Sequence, residues 1–186
     1  MVEAERKKHT NIIEYIIYMY HSEDVVRSCQ FSIDIIRERI INPKAENKSE
    51  RAELLKWYMD LVEEMEADNL QDRGHVSAVL ECFGELSYLH KTLMNVLQDK
   101  DYLALWEIAY PNLLELEKKT NGASRNPVEL AVNGLYGVVI YKMQGKTPLK
   151  STLEAVESFS TWLNYLGKVY RDVKSGKFTL PKTMNN

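Results

Sequence analysis

Most signatures of dedicated chemistry are missing from this chain of 186 residues. None of its four histidines, His9, His21, His75 and His90, follows a glutamate at three residues' distance, and HExxH is absent. The inward Glu-x-x-His pairs of di-iron bundles and the paired ligands of zinc proteases are thereby excluded, and no metal or other cofactor is expected. GxSxG and GxGxxG are absent, as is GxxxxGK followed by Ser or Thr, so the common nucleophile elbow and phosphate loops are missing. Cys29 and Cys82 stand alone without CxxC spacing and read as small buried or half-buried thiols in a reducing compartment. No apolar run approaches the roughly 20 residues of a membrane span. Nothing resembles a signal peptide, because the first ten residues are charged and the run from Ile12 is broken by Glu14. A basic excess is lacking too: 27 acidic against 24 basic residues leave −3, well mixed, and argue against a nucleic-acid or anionic-membrane surface. The expectation is a cytoplasmic protein with neither partner.

What remains is helix. With only 8 Gly and 5 Pro, mostly between periodic stretches, the chain reads as one all-α domain over 1–186. The expected fold is a single antiparallel bundle of six to seven helices. A first helix is predicted over about 2–29 and a short amphipathic one over 32–41, which Asn42-Pro43 stops. Asn47-Lys48-Ser49-Glu50 has capping-box spacing, and the helix it opens groups Leu54, Tyr58, Leu61, Val62 and Met65. After a polar break at 67–74, a long helix over 76–97 carries His90 on its apolar face.

Asp99 caps the next helix, which Pro111 should kink or divide. Asn126-Pro127-Val128-Glu129 is a strong helix entry. The segment it opens, 128–143, is the least amphipathic of the chain and is expected at the centre. Its stretch Tyr136 to Tyr141 is also compatible with a strand. A last helix over 151–174 precedes a polar tail, from Gly176, that should fray.

One pattern is anomalous. Ile13, Ile16, Ile17 and Tyr20 form an apolar stripe, and the same 100° step leads next to Asp24 and Arg27, with Glu23 at the edge. Charges aimed at a core are costly unless paired. Glu23 with Arg27 at i,i+4 and Asp24 with Arg27 at i,i+3 supply local partners. The structural reading is a buried network tying the first helix to its neighbours. The functional reading is an anion site with Arg27 as the donor fork. His90 is read as a neutral core histidine bonded to Asp24, Glu23 or a tyrosine hydroxyl, the sharper alternative being a catalytic base or metal ligand. Glu23, Asp24, Arg27 and His90 are thus the candidate binding residues, and no catalytic residue is assigned.

The segment from Asn11 to Arg27 resembles the opening of a helical family of Bacteroides-like bacteria, domain of unknown function 4924. Gly74-His75, Glu85 to His90, and Asn126 to Glu129 running into Asn133 to Gly137 resemble it in the same order. His21 and Ser22 depart from the Gln and the apolar residue expected there. The resemblance implies a cytosolic all-α fold and carries no activity. Function is therefore open between two readings. The leading one is a non-enzymatic helical protein acting by association, in its simplest form a homodimer. The other is a binder or enzyme for a small anionic metabolite, using a polar pocket of Glu23, Asp24, Arg27 and His90.

Overall fold

The computed structural model describes residues 3–122, 124 and 126–180, and the described residues form helices and no strand. Among them are eight helical stretches, against the six or seven expected. They are α1 (Glu3–Thr10), α2 (Ile12–Ser28), α3 (33–44), α4 (Lys48–Ala67), α5 (77–97), α6 (Lys100–Lys119), α7 (Pro127–Met143) and α8 (Lys150–Lys174). None is long and apolar enough to cross a membrane. Val2, the expected first helical residue, and 181–186 of the expected tail lie outside the described residues.

The extra helix comes from Asn11. Its side-chain oxygen accepts from the Ile13 N–H at 3.1 Å, so the chain caps a new helix where one continuous helix was expected. Local signals succeed elsewhere for the same reason. The Asn47 side chain accepts from the Glu50 N–H at 2.9 Å, and Glu50 reaches back to the N–H of Glu46 at 2.8 Å. Asp99 accepts from the Tyr102 N–H, and Asn126 from that of Val128.

Two prolines do less than expected. Asn42 and Pro43 continue α3 as a final turn, Asn42–Lys44, and the exit comes at an extended Ala45. Pro111 does not divide α6; it is exposed, as is Glu107, whose carbonyl loses its donor. Arg37–Ile41 in α3 and Thr92–Leu97 in α5 are π-helical.

The chain divides into two compact units, Met1–Thr10 with Glu14–Cys82, and Asn11–Ile13 with Phe83–Asn186. In the first, Ile16, Met19 and Val26 of α2, Ile36 and Ile41 of α3, and Leu54, Leu61 and Met65 of α4 are buried. Each full burial of such a side chain contributes about 1.5–3 kcal/mol of hydrophobic free energy.

In the second unit α6, α7 and α8 pack together. Gly134 permits this closeness: a Cβ there would lie 2.8 Å from Leu116 Cδ2 and 3.3 Å from Phe159. The segment open between strand and helix is helix α7. Its expected central burial holds only at its start. Val128, Leu130, Ala131 and Val132 are buried, whereas Val139, Tyr141 and Met143 are exposed. Beyond Gly176 the Phe178 N–H donates to the Asp172 carbonyl at 3.0 Å.

Candidate functional site

The charged stripe is placed one residue away from the expected register. Glu23, read as its edge, is fully buried, while the Asp24 side chain is 48% exposed. The reason lies more than fifty residues along the chain. Glu23 Oε1 accepts from the Val76 N–H at 3.0 Å, and Oε2 lies 2.6 Å from His75 Nδ1. A carboxylate offers only lone pairs at neutral pH, so His75 donates to it through Nδ1. The ring stacks on Tyr20, with centroids 3.9 Å apart and planes within 6°. Glu23 is therefore a buried charge with two donors from adjacent residues, the condition under which such a charge is tolerated.

Arg27 completes a clasp on the same turn. Its Nε–H donates to the Leu70 carbonyl at 3.0 Å, one Nη–H to Asp24 Oδ1 at 3.1 Å, and the other Nη to the Gly74 carbonyl. That second Nη is 3.9 Å from Glu23 Oε2. The turn is shaped to meet it. Helix α4 ends with Asn69 at φ 55° and the Leu70 N–H bonded back to the Met65 carbonyl, a glycine-type exit built on asparagine. Gly74 then takes φ 95°, where a Cβ would also lie 2.9 Å from Leu70 Cδ2. The guanidinium fork is thus spent on main-chain carbonyls of its own chain, which favours the structural reading over an anion site.

His90 keeps separate company, in the second unit. Its Nδ1 is 2.7 Å from the Tyr102 hydroxyl, one of the partners expected for it. Trp106 and Trp162 flank the ring at 4.9 and 5.4 Å between centroids. The described partners of Glu23, Asp24 and Arg27 lie around 70–76, so the structure brings three of the four candidates together with one another and gives His90 its own network. The residue missed by periodicity is His75. Its only signal was its place in the Gly74-His75 segment that resembles the family.

Burial, with a smaller contribution from Lys91, pushes the His90 imidazole down to about 4. An unfolded histidine takes its proton near 6.5, so between that value and about 4 the unfolded state binds more protons than the native one. Stability attributable to His90 is complete above pH 6.5 and falls as the pH is lowered toward 4. Allowing for partial solvent access, the loss is about 2 kcal/mol. Urea unfolding at a series of pH values should show this slope in the parent and a shallower one in His90→Gln. Equal slopes would place the titration elsewhere.

Chemically, His75, oriented by Glu23 and with its side chain 25% exposed, is half of an acid–base pair. Among the described residues no hydroxyl or thiol is hydrogen-bonded to His75, and no three His, Cys, Asp or Glu side chains converge. A cleft of about 420 Å³ in the first unit is lined by other residues, Lys7, Tyr18, Lys44 and Glu50 among them.

No curated protein and no solved structure matches this chain. A family model does, over residues 1–177. The chain belongs to the family described as Domain of unknown function (DUF4924).

Proposed function

We propose that this is a non-enzymatic, cytoplasmic helical protein that acts by association, with a homodimer as its simplest form. The observation that carries the reading is the apolar surface of the second unit. Ile108 is 62% exposed, Met143 61% and Leu149 74%, and the outer half of α7 adds Val139 and Tyr141. Scattered exposed apolar residues need no explanation; those that line open clefts, as Ile108, Tyr141 and Leu149 do, support an interaction surface. We take the helices of the second unit to be an antiparallel bundle, since short connections join α6, α7 and α8. The family model spans both units, which supports reading them as one domain.

The other reading, an anionic-metabolite site, asks Glu23, Asp24, Arg27 and His90 to share a pocket. It has less support: Arg27 is committed to the carbonyls of Leu70 and Gly74, and His90 to Tyr102. Sedimentation equilibrium across the micromolar range should give a mass above the 21.6 kDa of one chain. A single 21.6 kDa species at every concentration would overturn the homodimer. A saturable thermal shift with small anions, lost in Arg27→Lys, would favour the pocket instead.

A further inference from the structure

Two glycines of α7 line one cleft, and only one of them is explained by the packing of the chain. At Gly134 a Cβ would lie 2.8 Å from Leu116 Cδ2, so the approach of α6 requires glycine. At Gly137 a Cβ would meet nothing within 4 Å, although glycine is less favourable than alanine inside a helix. What Gly137 leaves is hollow space in a cleft of about 440 Å³, walled by Leu116 of α6, by Leu130, Val138 and Tyr141 of α7, and by Leu149 at the start of α8. That volume falls in the range of small-molecule sites. No charged side chain among the described residues lines it. An uncharged, largely apolar wall selects a hydrocarbon body, because a peptide or a sugar would leave polar groups there unpaired.

The surroundings of the cleft set the sign of the ligand's polar end. Lys146 Nζ lies 5.3 Å over the ring of Tyr141, which lines the cleft. It donates to the Gln144 side-chain oxygen at 2.9 Å, and an ammonium has further protons to give. The carboxylates of the adjoining cleft are answered within the chain, Glu115 by Lys119 at 2.6 Å and Glu154 by Lys150 at 3.4 Å. Among the described residues Lys146 has no such ion pair. The first turn of α8 adds to this, since its cap is Leu149, whose side chain accepts nothing, and Leu149 and Thr152 both line the cleft. We infer that the cleft binds a small amphipathic carboxylate, its hydrocarbon body in the space beside Gly137 and its carboxylate at the edge near Lys146. The inference goes beyond the association reading and does not depend on it, since the cleft lies within one chain and can be filled in a monomer or in each copy of a dimer.

The test is calorimetric titration of the full chain with three probes of equal chain length, octanoate, octan-1-ol and octylammonium. Octanoate should bind saturably and about tenfold or more tighter than the other two, the difference one charge-assisted hydrogen bond makes. Lys146→Gln should weaken octanoate about threefold and leave octan-1-ol unchanged, because the ammonium is exposed. Two variants block the space from different walls: Gly137→Leu from α7 and Thr152→Trp from α8, both at exposed positions, with melting curves to show that they fold. Each should abolish octanoate binding. If either folded variant binds octanoate as the parent does, the cleft is overturned as the site. If octan-1-ol or octylammonium binds as tightly as octanoate, the carboxylate is overturned. No saturable binding to the parent overturns the inference as a whole. Sedimentation decides association separately, so a dimer that takes up no probe fails this inference and leaves the association reading standing.

Discussion

Glu23→Ala is expected to lower stability by about 3–5 kcal/mol, the range for removing one partner of a buried, hydrogen-bonded charge. The substitution leaves the Val76 N–H without an acceptor, releases His75 from its only described hydrogen bond, and opens a void where a fully buried side chain stood. Asp24→Ala, one residue along, should cost at most about 1 kcal/mol, because its half-exposed carboxylate meets Arg27 in a solvent-screened pair. Glu23→Gln is the discriminating variant. Its amide oxygen can still accept from Val76, but its NH2 group meets the Nδ1 that now donates, so His75 must change tautomer. An intermediate loss is expected. Guanidinium unfolding midpoints at one fixed protein concentration separate the three. Equal losses for Glu23→Ala and Asp24→Ala would refute the clasp.

These expectations show which part of the stripe the sequence makes legible. Helical spacing finds α2 and warns that charge approaches its buried side. It cannot choose between Glu23 and Asp24, because the choice is made by the N–H of Val76 and the ring of His75 on a turn far along the chain. Such a partner leaves no periodic trace. The turn itself is irregular, set by Asn69 in a left-handed conformation and by Gly74. The stretch at 67–74 therefore reads only as a polar break.

Caps were legible because they are local. Asn47, Asp99 and Asn126 each satisfy an N–H two or three residues ahead, and the residue type announces the bond. Asn11 obeys the same rule but sits inside an apolar-periodic stretch, so continuity outweighed the cap. The π-helical turns at Arg37–Ile41 and Thr92–Leu97 have no comparable signal. In α7 the apolar composition was legible and its meaning was not. Apolar residues all round a helix fit a central position or a face awaiting a partner, and only the exposure of Val139, Tyr141 and Met143 separates the two.

Trp162→Ala should cost about 3–5 kcal/mol, the usual range for deleting a large buried aromatic side chain. The indole is fully buried in the second unit, 5.0 Å from Trp106 and 6.2 Å from Tyr102 between ring centroids. Its buried Nε1–H interacts with the Tyr102 oxygen but among the described residues meets no acceptor in full hydrogen-bond geometry, which already detracts from the fold. Trp162→Phe keeps an aromatic wall and deletes that donor, so it should cost only about 1–2 kcal/mol, less than the lost area alone suggests. The two variants also differ in what they do to His90, whose ring meets the indole edge-on at 5.4 Å. Opening the wall to water in Trp162→Ala relieves the burial that holds the imidazole near 4, and its titration should move up toward 6.5. Trp162→Phe should leave it nearly in place. Denaturant unfolding gives the energies and an NMR titration of the His90 ring gives the shift. An unmoved titration in Trp162→Ala would mean that burial by Trp162 is not what keeps His90 neutral.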